Sequence, residues 1–258
     1  MNILYDERVD GALPKVDKAA LLAELQRALP DLEILHRGED LKPYECDGLS
    51  AYRRLPMVVA LPENEDQVRR ILKTCHQLRV PVVARGAGTG LSGGALPLGN
   101  GVLLSLAKLM RIIEIDPLAR TARVQPGVRN LAISEAAAAH GLYYAPDPSS
   151  QIACSIGGNV AENSGGMHCL KYGLTVHNVL RVRMVTIEGE VNTPGTYEIK
   201  PGESLAQLLY RAGGFTENAY WSNPITRPSF LLVFPTLRTL AVFDVPCQTF
   251  LRDLCAMR

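Results

Sequence analysis

Arg85-Gly86-Ala87-Gly88-Thr89-Gly90-Leu91-Ser92-Gly93-Gly94 follows directly on Val80 to Ala84, an apolar run that reads as a strand. Five glycines fall within those ten residues. A phosphate-bearing ligand explains such a loop, because peptide N–H groups approach an anion closely only where no Cβ intervenes. Arg85 adds a cation, and Thr89 and Ser92 add hydroxyl donors. Gly88-x-Gly90-x-x-Gly93 matches the Rossmann fingerprint as a pattern. That fingerprint needs a helix opening at the loop. Here Leu91 to Gly101 contains Gly93, Gly94, Pro97, Gly99 and Gly101, so no helix is expected and the Rossmann fold is set aside. Taken alone, the loop fits a phosphate-bearing ligand or a glycine-rich surface connection.

Further along lies a second cluster. Pro146-Asp147-Pro148-Ser149-Ser150 reads as a rigid polar turn. It leads to Ser155-Ile156-Gly157-Gly158-Asn159-Val160-Ala161-Glu162-Asn163-Ser164-Gly165-Gly166, read as a second glycine-rich loop. Two such segments in one domain are hard to explain as idle linkers, since each glycine carries an entropic cost.

Around these loops, strands alternate with helices. Leu21, Leu25, Ala28 and Leu29 recur at helical spacing, and Pro30 closes that stretch. Met57 to Leu61 reads as a strand. Val68, Ile71, Leu72, Cys75 and Leu78 form one apolar stripe of a helix. Val102 to Leu106, Ile112 to Ile115 and Ala122 to Val124 read as strands, and Leu131 to His140 as a helix capped by Gly141. The pattern is that of an α+β or α/β domain.

In order, these segments resemble the FAD-binding domain shared by vanillyl-alcohol oxidase and p-cresol methylhydroxylase (the PCMH type). Within it they are most similar to the FAD-binding subunit of bacterial glycolate oxidase and to D-lactate dehydrogenases. The resemblance is carried by Leu55-Pro56-Met57-Val58-Val59-Ala60-Leu61-Pro62, the Arg85–Gly94 loop, Pro146 to Ser150, Gly157-Gly158-Asn159 and Lys171-Tyr172-Gly173. It implies an α+β fold with two α/β subdomains over 1–184, the second incomplete. It implies FAD as cofactor and a 2-hydroxy acid, glycolate or D-lactate, as substrate. Arg85, Gly86, Ala87, Gly88, Thr89, Gly90 and Ser92 would then hold the diphosphate. Pro146, Asp147, Ser149, Ser150, Gly157, Gly158, Asn159, Glu162, Asn163, Ser164 and Gly165 would line the ribityl chain and isoalloxazine. Some members attach the flavin through a histidine in the first loop. None stands there, so noncovalent FAD is expected, and His168 reads as a surface or packing residue. Other oxidase subunits, a second flavin subunit and an iron–sulfur subunit, are implied partners.

The family's substrate domain supplies histidines, an acidic residue and often a metal site. None of these motifs follows Val182, so no catalytic residue is identifiable. Instead Val185 to Tyr220 resembles a soluble-ligand-binding β-grasp module of the kind found in polysaccharide-export proteins. Ile187 to Val191, Pro194 to Tyr197, and Leu205 to Ala212 with Gly213-Gly214 carry that likeness. The expected division is a truncated FAD-binding domain at 1–184, a β-grasp-like segment at 185–220 and an unassigned tail at 221–258. A flavin-binding remnant without turnover, and a ligand-binding or assembly module, stand as the other readings.

A formal net charge of +1 argues against a nucleic-acid partner. Cys46, Cys75, Cys154, Cys169, Cys247 and Cys255 form no Cys-x-x-Cys pair, so a metal is not expected. No run of about 18 uncharged apolar residues occurs, and Met1 to Asp10 is too polar for a signal peptide. A cytoplasmic location is expected.

Overall fold

The computed structural model describes residues 16–185, together with the backbone strands at 196–198, 240–246 and 248–249. Its described residues build two adjoining α/β units, each with its own core.

In the first unit, α1 (Lys18–Ala28) opens at Asp17, whose carboxylate accepts the Ala19 N–H at 2.9 Å. Leu21 and Leu25 are its buried residues. β1 (Glu33–Leu35) and a short helical turn, α2 (Gly38–Leu41), follow. Then come β2 (Val58–Leu61), α3 (Glu65–Gln77), β3 (Val82–Arg85) and β4 (Val102–Ser105). The sheet order is β1-β2-β4-β3, with β1 antiparallel to β2 and the other pairs parallel. β2 and β4 are buried at every position. That explains their unbroken apolar runs, since parallel strands are covered on both faces. α3 is capped by Asn64, which accepts the Gln67 N–H at 2.9 Å, while the Gln67 side chain takes the Glu63 N–H at 2.7 Å. Val68, Ile71, Leu72 and Cys75 fill the core as the periodicity predicts. Leu78, expected on the same stripe, lies at the helix cap and is exposed. Residues 86–101 contain no helix, as the glycine and proline content predicts.

The second unit contains β5 (Ile112–Asp116), β6 (Thr121–Val124), α4 (Asn130–Ala137), β7 (Leu142–Tyr143) and α5 (Ile156–Glu162). It continues with α6 (Cys169–Tyr172), β8 (Arg181–Val185), β9 (Thr196–Glu198), β10 (Leu240–Pro246) and β11 (Gln248–Thr249). Its main sheet has the order β5-β6-β10-β8-β9 and is antiparallel throughout. β11 pairs with β7. Ala122, Val124, Ile133, Leu142, Tyr144, Ile156, Val179 and Val182 form the core. Val185, at the end of β8, packs into the core of the first unit.

Several expectations change. The segment from Gly157, read as a loop, opens as helix α5. Ser155 caps it, and Asn163 at φ +50° ends it in the left-handed conformation that asparagine tolerates. The alanine-rich helix stops at Ala137 and tightens into one 3₁₀ turn, Ala138–His140, before Gly141 at φ +67°. The strand expected at Val185 to Val191 instead begins at Arg181. Its remainder, 186–191, the turn at Asn192 to Gly195 and the helix at Leu205 to Ala212 lie outside the described residues. The tail, which carried no element order in the sequence, contributes β10 at the centre of the second sheet.

Candidate functional site

The first glycine loop starts where β3 ends, at Arg85. The Arg85 side chain turns back beneath its own loop. Its Nη1 donates to the Cys46 carbonyl at 2.6 Å, and its guanidinium lies 5.8 Å from the Tyr44 ring centroid. Arg85 is nearly buried, at 9% exposure. Burial pulls its pKa below the ordinary arginine range, and the Asp47 carboxylate is the largest influence opposing that shift. An arginine stays charged under either influence. Gly88 has φ +70°, and a Cβ there would strike this guanidinium. The loop therefore needs glycine at 88 for two reasons, its backbone conformation and the cation beneath it.

From Gly88 to Gly94, no backbone N–H donates to another described residue. The Thr89, Ser149 and Ser150 hydroxyls likewise have no partner among the described residues. Backbone donors are normally paired with protein or solvent, so a run of open amides is a place where an acceptor can bind.

Two contacts dock this loop on the second unit. The Ala87 N–H donates to Ser155 Oγ at 3.3 Å. Ser92 Oγ donates to Glu162, with Oε1 and Oε2 at 2.6 and 2.7 Å. Ser155 and Glu162 flank α5 at its two ends, so the helix lies alongside the loop. Ser92's one hydroxyl hydrogen is thereby committed to Glu162 and is not open to a phosphate.

The second group of expected residues divides. Asn159 is buried, and its Nδ2 donates to Asn130 Oδ1 at 2.8 Å. Asn130 Nδ2 in turn donates to the Pro146 carbonyl at 2.8 Å. This chain of bonds fixes the Pro146–Ser150 turn to α5. Gly157 donates its N–H to the Pro126 carbonyl at 2.9 Å, and a Cβ at 157 would meet Pro126 Cβ at 2.9 Å. Gly158 donates to Ser155 Oγ at 3.4 Å. The amides of Gly157 and Gly158 are thus satisfied by protein, and Gly157 is small for packing. Asn163 Oδ1 accepts the Val176 N–H at 3.0 Å. The Ser164 carbonyl accepts from buried Thr175 at 2.7 Å, and Gly165 packs against Leu174.

Asp147 pins the next turn of chain. Its Oδ2 lies 2.7 Å from His168 Nδ1, and its Oδ1 accepts the His168 N–H at 3.3 Å. A Cβ on Gly166 would strike Asp147. His168, read as a surface or packing residue, is a half-exposed partner of Asp147.

Sequence reasoning passed over the segment 44–49. A Cβ on Gly48 would lie 2.8 Å from the Thr89 and Gly90 carbonyls, so this segment underlies the loop. Asp47 takes the Leu49 N–H on Oδ1 at 2.9 Å, while its buried Oδ2 has no partner. The Asp-Gly pair marks a turn, but nothing local in it signals a loop roughly forty residues away.

Open amides on a bare backbone, with a cation beneath Gly88, fit a phosphate-bearing ligand. The FAD binding domain family matches residues 56–194 of this sequence. The chain belongs to this FAD-binding domain family. A second family, the SLBB domain, matches residues 184–225, which lie almost wholly outside the described residues. The glycolate oxidase subunit GlcD of Escherichia coli (strain K12) is 62% identical over 215 residues, 83% of this chain and 43% of the relative. GlcD of Bacillus subtilis (strain 168) is 43% identical over 173 residues, 66% of this chain and 37% of the relative. The D-lactate dehydrogenase of Archaeoglobus fulgidus is 35% identical over 194 residues, 74% of this chain and 42% of the relative. The chain spans less than half the length of these curated relatives. Among solved structures, alkyldihydroxyacetonephosphate synthase superposes with a TM-score of 0.68 at 19% identity, covering 92% of this chain and 45% of that one. The BBE-like 1 protein of Physcomitrella patens gives 0.66 at 18% identity, covering 89% and 44%. These likenesses bear on the fold, and they place this FAD-binding domain family member in the PCMH-type architecture expected from its motifs.

Proposed function

We propose that this chain is the flavin-holding part of a 2-hydroxy-acid oxidoreductase acting on glycolate or D-lactate, with FAD bound noncovalently. The observation that carries the reading is the run of open amides from Gly88 to Gly94, which starts over the Arg85 guanidinium at Gly88. Gly88, Thr89 and Gly90 would hold the diphosphate through main-chain N–H groups, and Arg85 would add charge from below. Gly86 and Ala87 are the residues that seat the loop against Ser155. Pro146, Asp147, Ser149 and Ser150 would line the flavin side, with the Ser149 and Ser150 hydroxyls free to donate. Gly157, Gly158, Asn159, Glu162, Asn163, Ser164 and Gly165 would act mainly by fixing that wall in place.

Noncovalent attachment is supported by the first loop, which contains no histidine. The substrate class is supported by the relatives, which are glycolate oxidase subunits and a D-lactate dehydrogenase. Oxidation removes a hydride from the α-carbon of the 2-hydroxy acid and a proton from its hydroxyl, leaving a 2-oxo acid. Bound flavin supplies the two-electron acceptor. The described residues hold and orient; no base for the hydroxyl proton is identifiable among them. A second flavin subunit and an iron–sulfur subunit are the proposed partners. No described helix is long and apolar enough to cross a membrane, and the cytoplasm is the proposed location.

Anaerobic addition of glycolate or D-lactate to the flavin-loaded chain tests the activity. Bleaching of the visible flavin band supports it. A chain that retains flavin but bleaches with neither acid is a flavin holder without turnover.

A further inference from the structure

Residues 240–249 lie beyond both matched ranges, 56–194 and 184–225. The sheet of the second unit nevertheless closes through them. β10 stands between β6 and β8, antiparallel to both, and among the described strands nothing else joins that pair. Its register fits its sequence. Phe243 falls opposite Val124 and Val182, and Val245 opposite Ala122; these three partners are core residues. Asp244 falls opposite Arg123 and Arg181, both exposed. Apolar residues opposite the core and an acid opposite two bases favour this register over a one-residue slip, which would exchange the two faces.

β11 then carries the tail on to β7, pairing Gln248 with Tyr143 and Thr249 with Leu142. β7 reaches the proposed flavin wall by two routes. Tyr144 and Ala145 lead straight from it into the Pro146 turn. Tyr143 Oη donates to Tyr172 Oη at 2.9 Å, at the end of α6, and His168 at the start of α6 is held by Asp147 of the same turn.

We propose that residues 240–249 belong to the cofactor site as positioning residues. β10 closes the sheet, and β11 fixes β7, so that the Pro146–Ser150 turn stands where the ribityl and ring part of the ligand lies. The diphosphate loop leaves β3 in the first unit and docks on α5, and neither of these elements pairs with β11. The tail therefore serves the ring end of the ligand and not its anionic centre. This inference rests on the reading of Pro146 to Ser150 as the flavin wall.

The full flavin-free chain is titrated with FAD and, separately, with inorganic pyrophosphate. Wild type is compared with the double variant Gln248→Pro, Thr249→Pro, which removes both backbone donors of β11 and leaves β10 intact. FAD affinity should fall about tenfold, the worth of one well-made hydrogen bond. Pyrophosphate affinity should not change. Hydrogen exchange at Leu142 and Tyr143 should quicken, while the amides of β3 and β4 stay as protected as in wild type. Tyr143→Phe, which keeps β11 and removes only the hydroxyl link to Tyr172, should weaken FAD several-fold and leave pyrophosphate alone. FAD binding by both variants equal to that of wild type overturns the proposal. So does an equal loss for FAD and pyrophosphate, because the tail would then support the whole chain and not the ring end. If the proline variant fails to fold, Tyr143→Phe decides by the same two outcomes. Wild type that binds pyrophosphate but not FAD removes the flavin wall and this inference with it. Wild type that binds neither refutes the diphosphate reading of the loop as well.

Discussion

Ser92 Oγ donates to the Glu162 carboxylate, with its two oxygens at 2.6 and 2.7 Å, and so joins loop and helix across 70 residues of sequence. The bond ties the far side of the first glycine loop to the end of α5. It lies at the surface, where a single hydrogen bond contributes about 0.5–1.5 kcal/mol. Ser92→Ala should therefore lower the melting temperature by only a few degrees. It should weaken FAD binding several-fold, because the loop loses one of its two docking points. Glu162→Gln should have a smaller effect, since its amide still offers an acceptor. Fluorescence titration and a thermal melt, run on both variants, check the pattern.

Gly88 and Gly90 should separate strain from ligand contact. At Gly88 an alanine would adopt a left-handed backbone costing about 1–2 kcal/mol and would strike the Arg85 guanidinium. Gly88→Ala should lose both stability and flavin. At Gly90 a Cβ meets nothing nearer than Glu162 Oε1, at 3.5 Å. Gly90→Ala should melt like wild type yet bind FAD at least about tenfold more weakly, the larger penalty falling where a methyl enters the ligand's path. Equal binding by Gly90→Ala and wild type would separate residue 90 from the diphosphate.

Asn130 holds the Pro146 turn. Its side chain pairs with both the Pro146 carbonyl and Asn159 Nδ2, each at 2.8 Å. Asn130→Ala leaves two buried groups unpaired, at about 1–3 kcal/mol each. Urea unfolding should show a loss in that range or above it. Asn159→Ala removes one end of the same chain of bonds and should cost less.

Asp147 should matter as a pin. Removing its carboxylate in Asp147→Ala frees the His168 ring and N–H. The segment from Asn163 to Gly173 should then be cleaved faster in limited proteolysis, with little change in global stability because His168 is half exposed. Asp147→Asn should show an intermediate rate.

Much of the fold was readable locally. The stripe Val68, Ile71, Leu72 and Cys75 and the capping residue Asn64 specify α3 within one window of sequence. The unbroken apolar runs of β2 and β4 announce strands covered on both faces. Local reading failed at Gly157 and Gly158, which are poor helix formers, yet Ser155, Pro126 and Ala87 hold the helix from outside. It failed at Leu240–Pro246, whose place between β6 and β8 is set by partners over fifty residues away. In the site, the glycines pointed to the loop, but their reasons differ: Gly88 clears Arg85, Gly157 clears Pro126, and Gly166 clears Asp147. Gly48 was invisible because its role comes from a contact with Thr89 and Gly90 that no local pattern encodes.

The most direct measurement is the visible absorbance spectrum of the purified chain after incubation with FAD and removal of unbound ligand. A flavin band near one equivalent per chain, released into the supernatant by acid, is the result expected if the open amides above Arg85 hold a diphosphate. A colourless protein, or one whose flavin content is the same in Gly88→Val, would contradict it.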